Sequence, residues 1–492
     1  MKSTSQKVSL GEKIGYSLGD GAANLVFQMT MMFQLFFYTD TFGLKATTAG
    51  LILLIASIVD AFIDPVVGIL SDRTNTRWGK YRPWILWTAV PFALFFVLVY
   101  FTPNISQGGK VWYAGITYLL LMTLYSFNNT PYSSLSGVMT GDIKERTSIS
   151  TYRFIMATIA TFVVQGLTLP LVGKFGQGNP QKGWLTTISI FAVVMVVFLI
   201  ITFLSAKERI SPPANQKTSV KQDFKDIFSN KPWKAMFVLT LFLFITLAMW
   251  GSSMSYYFNY VVDKNSLFSF LRNVGLINES GQNYGAWHQF LNAFGLIAND
   301  PDHVFAVGFS LFNMVGQVVT LLGVILLSQF LSNIFGKRNI FLVCLTLTAV
   351  FTSLFFFVSP KNIETIFLIN ILKSLAYAPT IPLLWAMIAD VADYSEWINY
   401  RRATGLVFAG IVFALKAGLG IGGAICGSII DAFGFVPNQI QTTSAVFGIK
   451  LSAGLIPAIT FMIGVVGLFF YPISKKLNER IQVELEERRK NN

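Results

Sequence analysis

The sequence predicts an all-α polytopic membrane protein with twelve transmembrane helices in two pseudo-symmetric six-helix bundles. Of its 492 residues, 53% are apolar and only 12% are charged, whereas soluble domains carry about 25% charged residues. The mean hydropathy is +0.57. The apolar residues form continuous runs near the length of about 20 residues that one spanning helix needs. A transmembrane barrel is excluded because these runs do not alternate between apolar and polar residues.

The apolar runs fall into two sets around one polar, basic stretch. The first set lies at about residues 21–42, 46–71, 83–102, 112–137, 150–173 and 185–205. The second set lies at about residues 233–262, 304–331, 339–358, 363–390, 403–431 and 448–472. The predicted domains are an N-terminal bundle at 1–205, a cytoplasmic linker at 206–232, a C-terminal bundle at 233–475 and a cytoplasmic tail at 476–492.

The positive charges predict the orientation. With the N-terminus inside, the inside segments hold 27 Lys and Arg residues and the outside segments hold 8. Because cytoplasmic loops carry the excess of Lys and Arg, we predict that both termini are cytoplasmic. The net charge of +13 reflects this bias and not a nucleic-acid site. Residues 1–13 are polar, so we predict no cleavable signal peptide.

Two further features describe the organisation. The fourth helix of each half ends in the same pattern, a Pro followed by an Asp eleven residues later and a Glu three residues after that, at 131–145 and 382–396. This weak repeat favours duplicated halves. An insertion at 263–303 breaks the symmetry and is predicted to lie outside. It reads either as an interfacial loop on the outer rim or as a lid over the outer mouth; the first is preferred on loop length.

The informative charges lie inside the apolar runs, where a charged side chain costs about 3 kcal/mol on insertion scales. Asp60 and Asp64 are four residues apart in the middle of helix 2, which places both carboxylates on one helix face. Two like charges so close repel each other unless a cation lies between them. We therefore predict a cation site for Na⁺ or a proton. The alternative is a structural salt bridge to another helix.

Further polar and charged residues lie within the predicted spanning helices. Asp20, Arg153 and Lys416 lie in helices 1, 5 and 11, although Asp20 and Arg153 also suit the inner membrane boundary. Lys373 lies near the middle of helix 10 and reads equally as a counter-charge for an acidic substrate or as a snorkelling lysine. The polar run at 125–134 in helix 4 predicts a wet cavity with groups that suit a sugar. Trp385 is a candidate stacking platform, or a core aromatic.

Several matching stretches resemble one transporter family. The loop Arg77–Trp84 resembles the signature loop of the major facilitator superfamily. Asp60–Pro65, Tyr152–Phe154 and Ala389–Trp397 resemble the glycoside–pentoside–hexuronide:cation symporters, the group of the melibiose carrier. The matches span both halves of the chain. The resemblance implies the major facilitator fold and a location in the bacterial inner membrane.

The resemblance also implies roles for individual residues. Asp60 and Asp64 match the carboxylates that bind the coupling cation, with Ser126 and Lys416 beside them. The substrate site predicted from resemblance and residue chemistry together comprises Asp20, Asn24, Tyr125, Asn129, Ser133, Arg153, Lys373, Trp385 and Lys416. Asn129 and Ser133 replace an aspartate and a tryptophan that hold the galactoside in the melibiose carrier, which argues against that substrate. Ile63 replaces an asparagine tied to Na⁺ use, so a proton is a viable coupling ion.

The predicted function is secondary active import of a sugar, glycoside or hexuronide with Na⁺ or H⁺ by alternating access. The alternatives are a lipid or lysolipid symporter on the same fold and a non-transporting sugar sensor. No Walker, HExxH, GxSxG, haem or iron–sulfur motif appears, so neither an enzyme nor a cofactor is predicted. The expected partners are the substrate and the lipid bilayer, with no nucleic acid, and the protein is expected to function as a monomer.

Overall fold

The computed structural model describes residues 7–140, 142–209, 228–278, 285–298, 304–399 and 404–491. These residues are nearly all helical, and no strand occurs among them beyond two isolated β-bridges. The prediction of an all-α protein is therefore confirmed. The chain divides into two compact units.

Unit 1 comprises the described parts of Met1–Asn215, Leu267–Asn313 and Pro437–Gln439. Its six long helices are α1 Leu10–Phe36, α2 Ala46–Arg73, α3 Arg82–Val99, α4 Gln107–Met139, α5 Ile143–Gly176 and α6 Pro180–Ser205. The contacts of α1 with α5 and α6, of α2 with α4, and of α3 with α4 and α6 build its core. Two short helices of the insertion, α8 Lys264–Asn273 from Leu267 onward and α9 Ala286–Ala293, belong to the same unit.

Unit 2 comprises the described parts of Gln216–Ser266, Met314–Val436 and Ile440–Asn492. Its helices are α7 Lys231–Tyr256, α10 Val304–Gly323 from Met314 onward, α11 Gln329–Phe335, α12 Lys337–Phe357, α13 Ile363–Tyr377, α14 Thr380–Asn399, α15 Thr404–Ala432, α16 Thr443–Lys450, α17 Ile456–Phe469 and α18 Lys475–Asn491. Helix α7 packs against α15 and α17, and α12 packs against α13 and α17. The domain boundaries predicted from the sequence stay a prediction.

Ten helical stretches of the described residues are long and apolar enough to cross a membrane. Helices α1 and α4, of 27 and 33 residues, complete the twelve predicted spans but are not among the ten. They carry Asp20 and the polar run at 125–134. At such positions a spanning helix must face protein or water instead of lipid, so α1 and α4 can contribute to a polar site.

Several helix boundaries differ from the prediction, and two of the differences have an identifiable cause. Helix α1 begins at Leu10 rather than near residue 21, because the Ser9 hydroxyl accepts a hydrogen bond from the backbone N–H of Glu12 and caps the first turn. The predicted run at 363–390 is two helices, with a turn at Ala378 and Pro379. Pro379 has no N–H and its ring collides with the preceding turn, which accounts for the interruption.

Glu208 caps the start of α3 in unit 1. Its carboxylate accepts hydrogen bonds from the backbone N–H groups of Lys80 at 2.8 Å, Tyr81 at 2.8 Å and Arg82 at 3.0 Å. Gly79 permits this approach because its φ is +112° and any Cβ there would collide with the carboxylate. Burial and a hydrogen bond to Asp72 raise the pKa of Tyr81. The loop Arg77–Trp84, which resembles a superfamily signature, thus leads into α3, and Glu208 caps the start of that helix.

Replacing Glu208 with Ala is expected to lower the free energy of unfolding by about 2 kcal/mol, because hydrogen bonds to a charged group contribute roughly 1.5–3 kcal/mol. The melting temperature of the purified full-length protein in detergent measures this. Glu364→Ala, which removes an exposed carboxylate in the first turn of α13, is the matched control and should melt like the wild type. A Glu208→Ala variant with an unchanged melting temperature would contradict the capping role.

The insertion packs against α5 within unit 1. The Lys174 ammonium donates to the backbone carbonyls of Asn292 at 3.1 Å and Ala293 at 2.6 Å, at the end of α9. Gly295 lies against the carbonyl of Pro170, where any Cβ would be 2.6 Å from that oxygen. The prediction that this segment is an interfacial loop stays a prediction, and residues 279–284 and 299–303 of it lie outside the described residues.

Candidate functional site

Two carboxylates of α2 converge on one hydroxyl of α4. Ser126 Oγ lies 2.5 Å from Asp60 Oδ1 and 2.6 Å from Asp64 Oδ1. Thr130, one turn further along α4, adds a contact of 3.2 Å between its hydroxyl and Asp64 Oδ1. Asp60 is 1% exposed, whereas Asp64 is half-buried. The spacing of four residues on α2 and of four on α4 brings the four oxygen-bearing side chains together.

This cluster has more acceptors than protons. A serine hydroxyl carries a single hydrogen, so Ser126 can donate to one of the two carboxylates at a time. A proton on a carboxyl or a bound cation among these oxygens would make both short oxygen–oxygen contacts favourable. Carboxylate and hydroxyl oxygens are the ligands that hard cations prefer. The arrangement can therefore hold one proton or one small cation.

A second charged cluster joins α1, α4 and α5. The Arg153 guanidinium donates to Asp20 through Nε to Oδ2 and through Nη2 to Oδ1, the latter at 3.2 Å. The Tyr132 hydroxyl of α4 lies 2.8 Å from Asp20 Oδ2. The side chains of Asp20 and Arg153 are 14% and 24% exposed. A bidentate pair of this kind is preorganised, and its remaining exposure leaves it accessible to a ligand.

Two tyrosines support the Asp20–Arg153 pair, and neither was predicted as a site residue. The rings of Tyr16 and Tyr132 stack with centroids 4.6 Å apart. Each hydroxyl reaches the backbone carbonyl of the other residue, at 2.7 Å from Tyr16 and 2.9 Å from Tyr132. The Arg153 guanidinium lies 5.1 Å from the Tyr132 ring centroid. Tyr132 belongs to the polar run of α4, which was the only signal in the sequence that could have identified it.

Helix α4 contributes to both clusters from different positions. Ser126 and Thr130 contact the carboxylates of α2, whereas Tyr132 contacts Asp20 of α1. Tyr125, Asn129 and Ser133 share one stripe of α4 at steps of four residues, and they are half-buried, half-buried and exposed. Helix α4 thus carries residues of both clusters, with Pro131 between Thr130 and Tyr132.

The other predicted site residues belong to both units. In unit 1, the Asn24 side-chain amide donates to the Asp20 carbonyl at 2.9 Å. In unit 2, the Lys373 ammonium lies 3.7 Å from the ring centroid of Trp250, and Lys373 is 8% exposed. Trp385 of α14 is exposed, and Lys416 of α15 is half-buried. The cation–π contact supplies Lys373 with a partner that the sequence did not identify.

Comparisons with known proteins agree on one family. The model of the family described as MFS/sugar transport protein matches residues 15–279 and 304–475. Inner membrane symporter YicJ of Escherichia coli K12 is 34% identical over 463 residues, covering 94% of this chain and 91% of YicJ. The isoprimeverose transporter of Lactiplantibacillus pentosus is 33% identical, covering 98% of this chain and 92% of that protein. The glucuronide carrier protein homolog of Escherichia coli K12 is 30% identical, with 99% and 97% covered.

Solved structures match the fold at low sequence identity. A structure concerned with substrate recognition in proton-dependent oligopeptide transporters has a TM-score of 0.64 at 12% identity and covers 96% of this chain and 99% of that one. The nucleoside transporter NupG has a TM-score of 0.57 at 13% identity, with 94% and 100% covered. These similarities show the fold alone. The family model and the relatives together show that this multi-pass membrane protein belongs to the MFS/sugar transport protein family, a family of transporters and not of enzymes.

Proposed function

We propose that the protein is a symporter that imports a sugar, glycoside or hexuronide together with Na⁺ or H⁺. The observation that carries the proposal is the contact of one hydroxyl, Ser126, with the two carboxylates Asp60 and Asp64 inside the apolar part of α2. Placing two carboxylates within a membrane-spanning helix raises the free energy of the protein, and a bound cation would offset this increase. Relatives named as a glycoside/cation symporter and as an isoprimeverose transporter support this function.

Coupling between the two ligands would pass through α4. Cation binding would draw Ser126 and Thr130 toward the carboxylates of α2, and the same helix carries Tyr132 at the Asp20–Arg153 pair. If each ligand favours the same position of α4, then each raises the affinity for the other by the same factor. Alternating access between two units would then move both ligands together.

Separate groups bear on the identity of the coupling ion and on the charge of the substrate. Two carboxylates and two hydroxyls suit Na⁺ as well as a proton, and Ile63 beside Asp64 offers no further ligand. Lys373 would favour a substrate with a carboxylate, and one relative is named a glucuronide carrier protein homolog. The Lys373 ammonium also contacts the Trp250 ring. This contact weakens the argument, because the ammonium already has a partner within the protein. Lys416 remains a predicted ligand of both sites.

The charge bias and one relative support the location that we propose. We place the protein in a bacterial inner membrane, with both termini in the cytoplasm and the monomer as the functional form. The inner membrane is named for YicJ, and the excess of Lys and Arg in the inside loops supports the orientation.

Uptake into proteoliposomes tests the proposal. We expect accumulation of at least one labelled glycoside or uronide when an inward Na⁺ or H⁺ gradient is imposed, and only equilibration without the gradient. Matched pairs of neutral glycosides and uronides, assayed with the wild type and with Lys373→Met, decide whether Lys373 selects for charge. Uptake that is unaffected by either gradient would contradict symport, and lipid transport without sugar transport would favour the lipid alternative.

A further inference from the structure

A pair of glutamines joins α1 and α5 beyond the Asp20–Arg153 pair. Gln165 Nε2 donates to Gln28 Oε1 at 3.2 Å. Gln28 is 8% exposed and Gln165 is half-buried. Both lie within long apolar helices, where each unused amide group carries a penalty. Neither glutamine is among the site residues predicted from the sequence.

The glutamine pair and the charged pair both lie in the contact between α1 and α5, which we call the α1–α5 seam. Asp20 contacts Arg153 at one point of this seam, and the Thr168 hydroxyl contacts Met29 Sδ at 3.3 Å at another. Gln28 and Gln165 lie between them along both helices. Eight residues separate Asp20 from Gln28 on α1, which corresponds to about 12 Å at 1.5 Å per residue. That distance exceeds the width of one hexose ring and suits a second ring joined by a glycosidic bond.

Partly exposed residues of α1 connect the Asp20–Arg153 pair with the glutamine pair. Asp20, Asn24, Phe27 and Met31 are half-buried, whereas most other residues of this helix are buried. Their steps of four, three and four residues define one stripe of the helix. Gln28 follows Asn24 by four residues and therefore borders this stripe. A ligand held at Asp20 can extend along the stripe to the glutamine pair.

The chemistry of the pair suits hydroxyl groups. Each glutamine amide has two N–H donors and a carbonyl with two lone pairs, and no hydrogen bond of either amide beyond the mutual one occurs among the described residues. The Gln28 amino group and the Gln165 carbonyl thus retain bonding capacity. Because both groups are neutral, they fit a sugar ring with hydroxyls better than a carboxylate, whose place would be at a cation.

We propose that Gln28 and Gln165 form a second sugar subsite, which binds the distal ring of a disaccharide or longer glycoside whose proximal ring lies at Asp20 and Arg153. This inference rests on the proposed function. The second subsite makes the protein selective for glycosides of two or more rings over monosaccharides. The competing interpretation is that the two amides only hold α1 against α5, as polar residues do in membrane helix packing.

Transport of disaccharides and of their constituent monosaccharides tests the subsite. The probes are labelled isoprimeverose, cellobiose and melibiose with xylose, glucose and galactose, in proteoliposomes with the imposed cation gradient. We expect the wild type to prefer a disaccharide. Gln28→Met and Gln165→Met should each raise the KM for that disaccharide by about tenfold, as expected for a lost sugar contact, and leave the KM for its monosaccharides unchanged.

Two further variants separate binding from packing. Gln165→Asn retains the amide but shortens its reach, so it should raise the disaccharide KM while the melting temperature stays at the wild-type value. Thr168→Val changes the same seam without altering the pair and should transport both probe classes normally. Equal losses for disaccharides and monosaccharides in the Met variants, or no loss for either, would overturn the subsite but leave symport intact. A wild type that accumulates neither these probes nor any other glycoside or uronide under a cation gradient contradicts the proposed function itself.

Discussion

Asp60→Asn and Asp64→Asn should each abolish gradient-driven accumulation of the substrate. Either change removes one of the two carboxylates that contact Ser126 and leaves a neutral amide with a weaker hold on a cation or none on a proton. Without the coupling ion, transport can equilibrate the substrate but cannot concentrate it. Uptake into proteoliposomes with and without the cation gradient measures the difference, and we expect a loss of at least about 100-fold in the accumulation driven by the gradient.

The control for this prediction is a carboxylate elsewhere in unit 1. Asp40 accepts a hydrogen bond from the Thr39 hydroxyl at 2.6 Å, outside the cluster, and Asp40→Asn should accumulate substrate normally. Ser126→Ala removes the bridging hydroxyl but neither carboxylate, so an intermediate loss with weaker ion affinity is expected. If Asp60→Asn or Asp64→Asn still concentrates substrate at the wild-type level, the pair is structural and the cation assignment is wrong.

Breaking the Asp20–Arg153 pair should weaken substrate binding and also reduce stability. Arg153→Gln leaves the partly buried carboxylate of Asp20 with the Tyr132 hydroxyl but without its guanidinium. The expected cost is about 2 kcal/mol, between the values for exposed and for fully buried ion pairs. We expect substrate affinity to fall by at least about tenfold. Substrate protection against thermal unfolding measures both effects in one experiment.

The double variant Asp20→Asn with Arg153→Gln separates the two roles of this pair. Removing both charges avoids an uncompensated charge, so the melting temperature should recover most of what Arg153→Gln alone loses. Substrate protection should stay at least as weak as in Arg153→Gln, because neither charged group remains to bind the sugar. Tyr132→Phe, which removes one hydrogen bond to Asp20, is the milder control. Recovered substrate binding in the double variant would mean that the pair only holds α1 against α5.

The sequence predicted the members of the cation cluster unevenly. Asp60 and Asp64 could be identified because charges in an apolar run and a spacing of four residues are visible without any partner. Ser126 was assigned through family resemblance alone, and Thr130 was not assigned at all. A hydroxyl in a polar run gives no sign of which helix it faces, since that depends on how α4 packs against α2.

The charged cluster at Asp20 shows the same limit in another form. The sequence identified Asp20 and Arg153 as separate substrate ligands, and the structure joins them to each other and to Tyr132. Residues 133 positions apart in the chain meet only when α1 and α5 pack side by side. Tyr16 and the two glutamines Gln28 and Gln165 escaped notice for the same reason, because uncharged residues in a spanning helix carry little signal individually.

By itself the sequence determined the all-α membrane class, the bounds of most helices to within a few residues, the family and the carboxylate pair of helix 2. These properties depend on composition, on local hydrophobic runs and on spacing along one helix. Only the tertiary structure decided that one hydroxyl contacts both carboxylates, that Asp20 pairs with Arg153, that Lys373 lies over Trp250 and that Pro379 divides a predicted helix. The first three are contacts between different helices, whose relative rotation and depth arise from packing and leave no local trace in the chain. The break at Pro379 was visible as a residue type, but prolines also occur inside α2 and α4, and the surrounding helices decide which of them interrupts the chain.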